Sequence, residues 1–352
     1  MSSLALLISL RDLGWRRRRF VIVVAGTTLT FAITLLLSGF RDGFDVETAR
    51  MVRALRADAF VVRQGVSGPF TTVAQMDAAV ADQLAYVPGV RRADPVVTIR
   101  HRIESSPAVD VYIVGARPGG LGIPRPRRGR APIRAGEAML DARAGRRLGD
   151  HVRVGERSFT VVGLVRDVSV WAGVPAMFVT LGDAQDLVFG GLPATTTVLT
   201  RGVPHPAPPE LRVLTPSQAR ADLERPVANA ITTINLLRIF LWVVAAAIVG
   251  SVLYISSLER SRDFAVFKAF GTNTRDIVAT LVIEAVLLSA VSAAAAAALS
   301  RPLAHLFPAV ISFPARALLL LPVLAVAIGV LGSAAGARRA VTVDPAVAFA
   351  AQ

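Results

Sequence analysis

Residues Phe20–Phe40, FVIVVAGTTLTFAITLLLSGF, form a charge-free apolar run directly behind the block Arg16, Arg17, Arg18 and Arg19. A helix rises 1.5 Å per residue, so about 20 such residues cross the ~30 Å hydrocarbon core of a bilayer. A cleaved signal peptide would have a shorter apolar region and an A-x-A-like site, whereas this run ends Ser38-Gly39-Phe40-Arg41, so an uncleaved anchor is expected.

Three comparable runs follow after a long interval, at Ile239–Leu258, Ile277–Leu299 and Ala317–Ala337. Cytoplasmic flanks are rich in Lys and Arg. Arg16–Arg19, the group Arg260, Arg262, Lys268 and Arg275, and the pair Arg338 and Arg339 all fall on one side if the N-terminus is inside. Loop 300–316, on the other side, holds only Arg301 and Arg316. The expected organisation is therefore an N-terminal cytoplasmic amphipathic segment 1–19, spans at 20–40, 236–258, 277–299 and 317–337, and an extracytoplasmic domain at 41–235. A cytoplasmic loop at 259–276, an outer loop at 300–316 and a cytoplasmic tail at 338–352 complete it.

Composition agrees with a chain that lives partly in lipid. Of its 352 residues 53% are hydrophobic and 18% charged, against about 25% charged in a soluble domain. The net charge of +14 lies beside apolar runs and across the large loop, which is explained by membrane flanks without nucleic acid. The absence of cysteine excludes disulfides and thiolate metal sites, and His101, His151, His205 and His305 form no pair at metal-ligand spacing.

The interval 41–235 reads as an α+β domain. Strand-like runs occur at Ala59–Arg63, Val96–Arg102 and Val109–Val114, between Gly and Pro breaks. In His151–Asp167, HVRVGERSFTVVGLVRD, Val152 and Val154 alternate with polar residues, Gly155-Glu156 offers a turn, and the apolar pattern resumes at Phe159, which predicts a β-hairpin. Ala74–Tyr86 suits a helix closed by Pro88-Gly89, Arg117–Ala135 reads as an exposed loop, and Pro204–Pro209 as a connector.

No catalytic constellation is visible. A P-loop needs G-x-x-x-x-G-K-[ST], but the single lysine, Lys268, stands in Phe267-Lys268-Ala269, so the chain is not expected to be an enzyme and any ATPase must be another subunit. The most informative segment is the inner loop ERSRDFAVFKAFG, Glu259–Gly271. As a helix it places Phe264, Phe267 and Phe270 along one edge, with charges elsewhere and Gly271 at its end. The residues alone fit equally a helix lying on the lipid surface.

This segment resembles the cytoplasmic coupling helix of MacB/FtsX-type ABC transporter permeases. Leu148-Gly149-Asp150 running into VRVGERSFTVVGLV, the turn Pro88-Gly89-Val90 and the ending Val343-Asp344-Pro345-Ala346 resemble further elements of that family, and the order of one span, an outer domain and three spans matches its plan. The length is similar to the small four-span subgroup of DevC and HrtB. The resemblance implies an α-helical membrane protein with four transmembrane helices plus an α+β extracytoplasmic domain of the MacB-like periplasmic type, in the bacterial cytoplasmic membrane. It implies a second permease copy and cytoplasmic ABC ATPase subunits carrying ATP-Mg, with no cofactor on this chain. Glu259, Arg260, Arg262, Asp263, Phe264, Phe267, Lys268 and Gly271 are the residues it implies for ATPase coupling. The implied function is mechanotransmission with efflux of an amphipathic or hydrophobic cargo; an FtsX-like regulator or sensor of a cell-wall enzyme, moving nothing, shares the architecture.

Glu284 is the sole acid well inside a span, so it is expected to face protein or water, as an interhelical contact or as part of motion transfer. Arg238 is placed to snorkel to head groups, and the small residues Ala293–Ala298, Gly329, Gly332, Ala335 and Gly336 favour close helix approach.

Overall fold

The computed structural model describes residues 17–105, 107–259, 266, 273–304, 311–312 and 323–331. Segment 1–16, most of the inner loop, both ends of the fourth apolar run and the C-terminal tail lie outside the described residues. The chain divides into two compact units, one built on Gly43–Ala230 and one on the helical segments up to Asp42 and from Ile231 onward.

In the helical unit, three helices among the described residues are long and apolar enough to cross a membrane. They belong to α1 (Arg17–Ala54), a helix over Ala228–Glu259 and one over Thr274–Ala304. Phe31, Ala32 and Leu35 of α1 pack with Ala245, Val249, Ala285, Leu288, and Ala325 and Ile328 from helical residues 323–331. Thr30, Thr34 and Ser38 donate to the carbonyls of Gly26, Thr30 and Thr34, which satisfies their hydroxyls without water. The expected close approach is present at Gly329, where a Cβ would stand 3.0 Å from the Ala285 carbonyl oxygen.

The other unit is an α+β domain. Its strands are β1 (Ala59–Arg63), β2 (Met76–Asp77), β3 (Arg92–Glu104), β4 (Val109–Ala116), β5 (Arg128–Gly129), β6 (Glu137–Asp141) and β7 (His151–Val154). The remainder are β8 (Arg157–Val165), β9 (Ser169–Val170), β10 (Val174–Thr180), β11 (Ala194–Thr195), β12 (Thr197–Arg201) and β13 (Leu211–Leu214). The main sheet runs β13-β1-β12-β3-β4-β10-β6-β8-β5, with β10 parallel to β4 and β6 parallel to β8. β7 pairs with both β3 and β8, so β3, β4, β10, β6, β8 and β7 close into a ring.

Ring closure gives the central strands two buried faces. Val111, Ile113, Ala138, Leu140, Met177 and Val179 point into one core, and their neighbours Tyr112, Val114, Met139 and Phe178 into a second. Period-two alternation thus separates two apolar sets rather than apolar from polar, which is why these strands read as continuous apolar runs. Helix α2 (Val80–Leu84) covers a third cluster, α3 (Leu181–Phe189) packs Leu181, Leu187 and Val188 against the ring core, and α4 (Pro216–Glu224) brings Ala219 and Leu223 to the Tyr112 core. We label the helices Ala228–Glu259 and Thr274–Ala304 α5 and α6.

The expected strands at Ala59–Arg63, Val96–Arg102 and Val109–Val114 and the hairpin from His151 are all present. Two expectations are corrected. Ala74–Tyr86 is not one helix: Met76 and Asp77 pair with Thr195 and Ala194, the Asp77 carboxylate accepts from the Ala79 N–H, and the helix is left with Val80–Leu84. Arg117–Ala135 is not wholly exposed, because Leu121 and Ile123 enter the core, the Leu121 N–H donates to buried Asp94 and Gly122 N–H donates to the Leu55 carbonyl.

Asp222 of α4 is the polar fastening of this core. Its side chain is buried and accepts from the Phe70 N–H at 2.9 Å, the Thr71 N–H at 3.2 Å and the Thr71 hydroxyl at 2.6 Å. Gly68 has to be glycine here, since a Cβ would stand 2.1 Å from Asp222 Cγ. Asp222→Ala strands the buried Phe70 amide and the half-buried Thr71 amide and is expected to cost about 2–4 kcal/mol. Amide hydrogen exchange at Phe70 and Thr71 should accelerate strongly, and unchanged rates would refute the fastening role.

Candidate functional site

The α1 helix does not stop where its lipid-length apolar run stops. Past Arg41 it keeps an apolar stripe, Phe44, Met51 and Val52, continued by Leu55 directly after its end, at the spacing of a single helix face, and Met51, Val52 and Leu55 belong to the Tyr112 core. Within this stripe sits Glu47, 2% exposed.

Its carboxylate accepts from the Ser169 hydroxyl, from the Ala172 N–H at 3.0 Å and from the Gly173 N–H at 2.8 Å. One turn later Arg50 approaches Asp167 at 3.6 Å, and Arg143 donates to both Ser169 Oγ and Asp167. The loop so held carries Asp167, Trp171 and Ala172 at φ of 62°, 49° and 68°, a region that L side chains rarely adopt. Three such residues within six positions make a strained loop that its partners must hold in place. Asp141 secures its start, accepting from the Val168 and Arg143 N–H groups, while burial pushes the Asp141 carboxyl up.

Trp171 is the working side chain of the loop. Its indole N–H donates to the Leu223 carbonyl at 2.8 Å, its ring meets Tyr112 edge-on at 5.3 Å, and the Arg100 guanidinium lies 5.8 Å from its centroid. Leu223 is near the end of α4, and the turn Arg225–Val227 leads from there into α5. The α1 extension also reaches α4 directly: the Thr48 hydroxyl donates to Glu224, and Arg220 pairs with Asp45 at 3.4 Å. The continuations of the first and second apolar helices are thus tied together inside the α+β unit.

Beside Trp171 a groove of about 510 Å³ is lined by Phe70, Val73, Ile99, Arg100 and Val227. Arg100 of this groove donates to Asp110 at 2.7 Å, as Arg102 does at 2.9 Å, and the hydrogen bonds from Arg102 and then Arg100 hold the Asp110 carboxyl below the usual carboxylate range.

Of the residues singled out in the sequence, Glu259 is the last residue of α5, and Glu284 lies half-buried on α6 next to Ala285, at the level where Gly329 approaches. Arg260, Arg262, Asp263, Phe264, Phe267, Lys268 and Gly271 lie outside the described residues. Glu47, Ser169, Trp171 and Asp222 carry no sequence motif; the signal that was available is the helical spacing of Phe44, Met51, Val52 and Leu55 beyond the span.

The MacB-like periplasmic core domain family matches residues 20–222, and the FtsX-like permease C-terminal family matches residues 235–345. This chain belongs to the MacB/FtsX-type ABC transporter permeases. An uncharacterized ABC transporter permease of Mycobacterium tuberculosis strain H37Rv, Rv2563, is 42% identical over 348 residues, 98% of this chain and 99% of the relative. A second from the same strain, Rv0072, is 40% identical over 345 residues. Among solved structures, the periplasmic region of MacB from Actinobacillus actinomycetemcomitans aligns at 10% identity and a TM-score of 0.33, covering 49% of this chain and 95% of that one. The extracellular domain of YknZ aligns at 16% identity and a TM-score of 0.32, covering 42% and 82%. The permease is a membrane protein with an α+β MacB-like domain, and membership of this family implies a partner ATPase.

In the permease, Glu47→Ala removes the acceptor for three donors and is expected to destabilise the Ser169–Gly173 loop by about 3 kcal/mol, with Glu47→Gln intermediate because one oxygen remains. Hydrogen exchange at Ala172 and Gly173 and Trp171 emission in a Trp15→Phe/Trp242→Phe background report it. Identical exchange in wild type and Glu47→Ala would remove the carboxylate from this role.

Proposed function

We propose that the permease couples ATP hydrolysis on a separate, ATP-Mg-binding ABC subunit to motion of its α+β domain, and that this motion drives efflux of an amphipathic or hydrophobic cargo. The observation that carries this reading is α1 itself, one helix whose first half has the composition of a span and whose last turns supply Met51 and Val52 to the domain core, with Leu55 directly after it. A continuous helix converts axial or rotational displacement at one end into displacement at the other, because its backbone hydrogen bonds resist stretching. Glu47 and the Thr48–Glu224 and Asp45–Arg220 contacts spread that displacement to the Trp171 loop and to the helix leading into α5.

In this reading the chain has four spans, 20–40, 236–258, 277–299 and 317–337, with both termini cytoplasmic and 41–235 outside. The ATPase docks on the inner loop Glu259–Gly271 through Phe264 and Phe267, flanked by Arg260, Arg262, Asp263 and Lys268. A second permease copy completes the transporter. Glu284 sits beside the tight Gly329 approach, where a shift between α6 and its neighbour would be felt.

Two experiments test this. The chain contains no cysteine, so single cysteines report sidedness without background. With a membrane-impermeant maleimide on intact cells, Tyr86→Cys is expected to react and Ser2→Cys and Gln352→Cys to be protected; a reactive Gln352→Cys with Ser2→Cys protected would mean an odd number of spans. Co-purification with the cognate ATPase is expected to give a complex whose coupled hydrolysis drops about tenfold or more in Phe264→Ala/Phe267→Ala, as loss of two buried aromatic anchors implies. A double variant that assembles and hydrolyses like wild type would return the inner loop to the lipid surface.

A further inference from the structure

The groove beside Trp171 has a composition that helix coupling does not require. Val73 is 51% exposed at one wall, and Phe70, Ile99 and Val227 complete an apolar trough of about 510 Å³, within the ~300–1,000 Å³ typical of small-molecule sites. The charge lies at one end. Arg100, which lines the groove, and Arg102 share the carboxylate of Asp110, which leaves one positive charge in excess in this trio. Arg100 uses one of its N–H groups on Asp110, and its planar guanidinium keeps further donors in a geometry suited to a carboxylate or phosphate. Trp171, which also lines the groove, is held at a positive φ by the Glu47 contacts, so the side chain is preset.

We propose that this groove binds a single-chain anionic amphiphile, with the head group on Arg100 and the apolar body along Phe70, Val73, Ile99 and Val227. Charge complementarity selects the anionic head, and the trough selects one chain over two by its volume. A molecule seated there touches Trp171 and Val227, which are joined to α1 through the Glu47 loop and to α5 through Arg225–Val227. Its binding does not depend on the permease acting as an exporter; its being cargo rests on that reading.

The test uses the full chain in zwitterionic lipid nanodiscs, photolabelled with a diazirine-bearing dodecanoate and, in parallel, with a diazirine-bearing dodecyl trimethylammonium, and mapped by peptide mass spectrometry. The carboxylate is expected to label the segments around Phe70–Val73 and Val97–Arg100 about tenfold more than the cation does, since a charge-assisted hydrogen bond distinguishes them. Arg100→Gln should lose about tenfold of that label, Arg100→Lys should keep most of it, and Asp110→Asn should not reduce it. Equal labelling by both probes, labelling unaffected by Arg100→Gln, or label confined to α1, α5 and α6 would overturn the proposal. No ATPase is needed, so this outcome is independent of whether Phe264 and Phe267 couple one.

Discussion

A carboxylate placed on the continuation of a membrane-length helix, buried, and filled with three donors from one loop is the constraint on which the rest of the permease turns. Glu47 cannot be buried alone, because an uncompensated charge in a low-dielectric core is costly. It is buried because Ser169, Ala172 and Gly173 present donors to it, and they can do so because the backbone there accepts left-handed conformations at Trp171 and Ala172. The strain and the buried charge each make the other tenable. The loop is shaped by the helix as much as the helix is fixed by the loop, and the groove beside Trp171 inherits that shape.

The ring of six strands supplies the stiff body against which this contact works. With both faces of β4, β6 and β10 packed, a sideways displacement at one strand meets close-packed side chains on two sides, and such interiors yield little. Polar groups inside the domain follow the same economy: Asp222, Asp141 and Asp94 each take up loop N–H groups that no strand pairs. Acidic side chains therefore fasten loops to the sheet in several places, and Glu47 does so from α1.

Much of this was legible in the residues. Lipid-length runs, arginine flanks, the His151 hairpin and the Val109 strand follow from periodicity and composition, and the family resemblance rests on motifs that span both halves of the chain. What escaped is instructive. The Ala74–Tyr86 pattern satisfies a helix, but a two-residue bridge to β11 takes its first turn, and no local rule anticipates a partner more than a hundred residues away. Leu121 and Ile123 sit in a Pro, Gly and Arg-rich stretch whose composition outweighed two apolar residues that the core needed. The extension of α1 was readable in Phe44, Met51, Val52 and Leu55, yet the charges between them mark a membrane exit and draw attention away from a helix that simply changes solvent. The Trp171 site is assembled from stretches far apart in the chain, so its geometry exists only after folding.

The ends of the main sheet carry a final consequence. At one end lies β5, two residues long, with Arg127, Arg128 and Arg130 in and around it; at the other is β13, four residues long and preceded by Pro208 and Pro209. Short, arginine-studded or proline-guarded margins are poor templates for a stray strand. Ring closure leaves β4, β6 and β10 paired on both sides. Such short margins leave few free backbone groups for a strand of another chain to pair with, which disfavours aggregation through these two ends of the sheet.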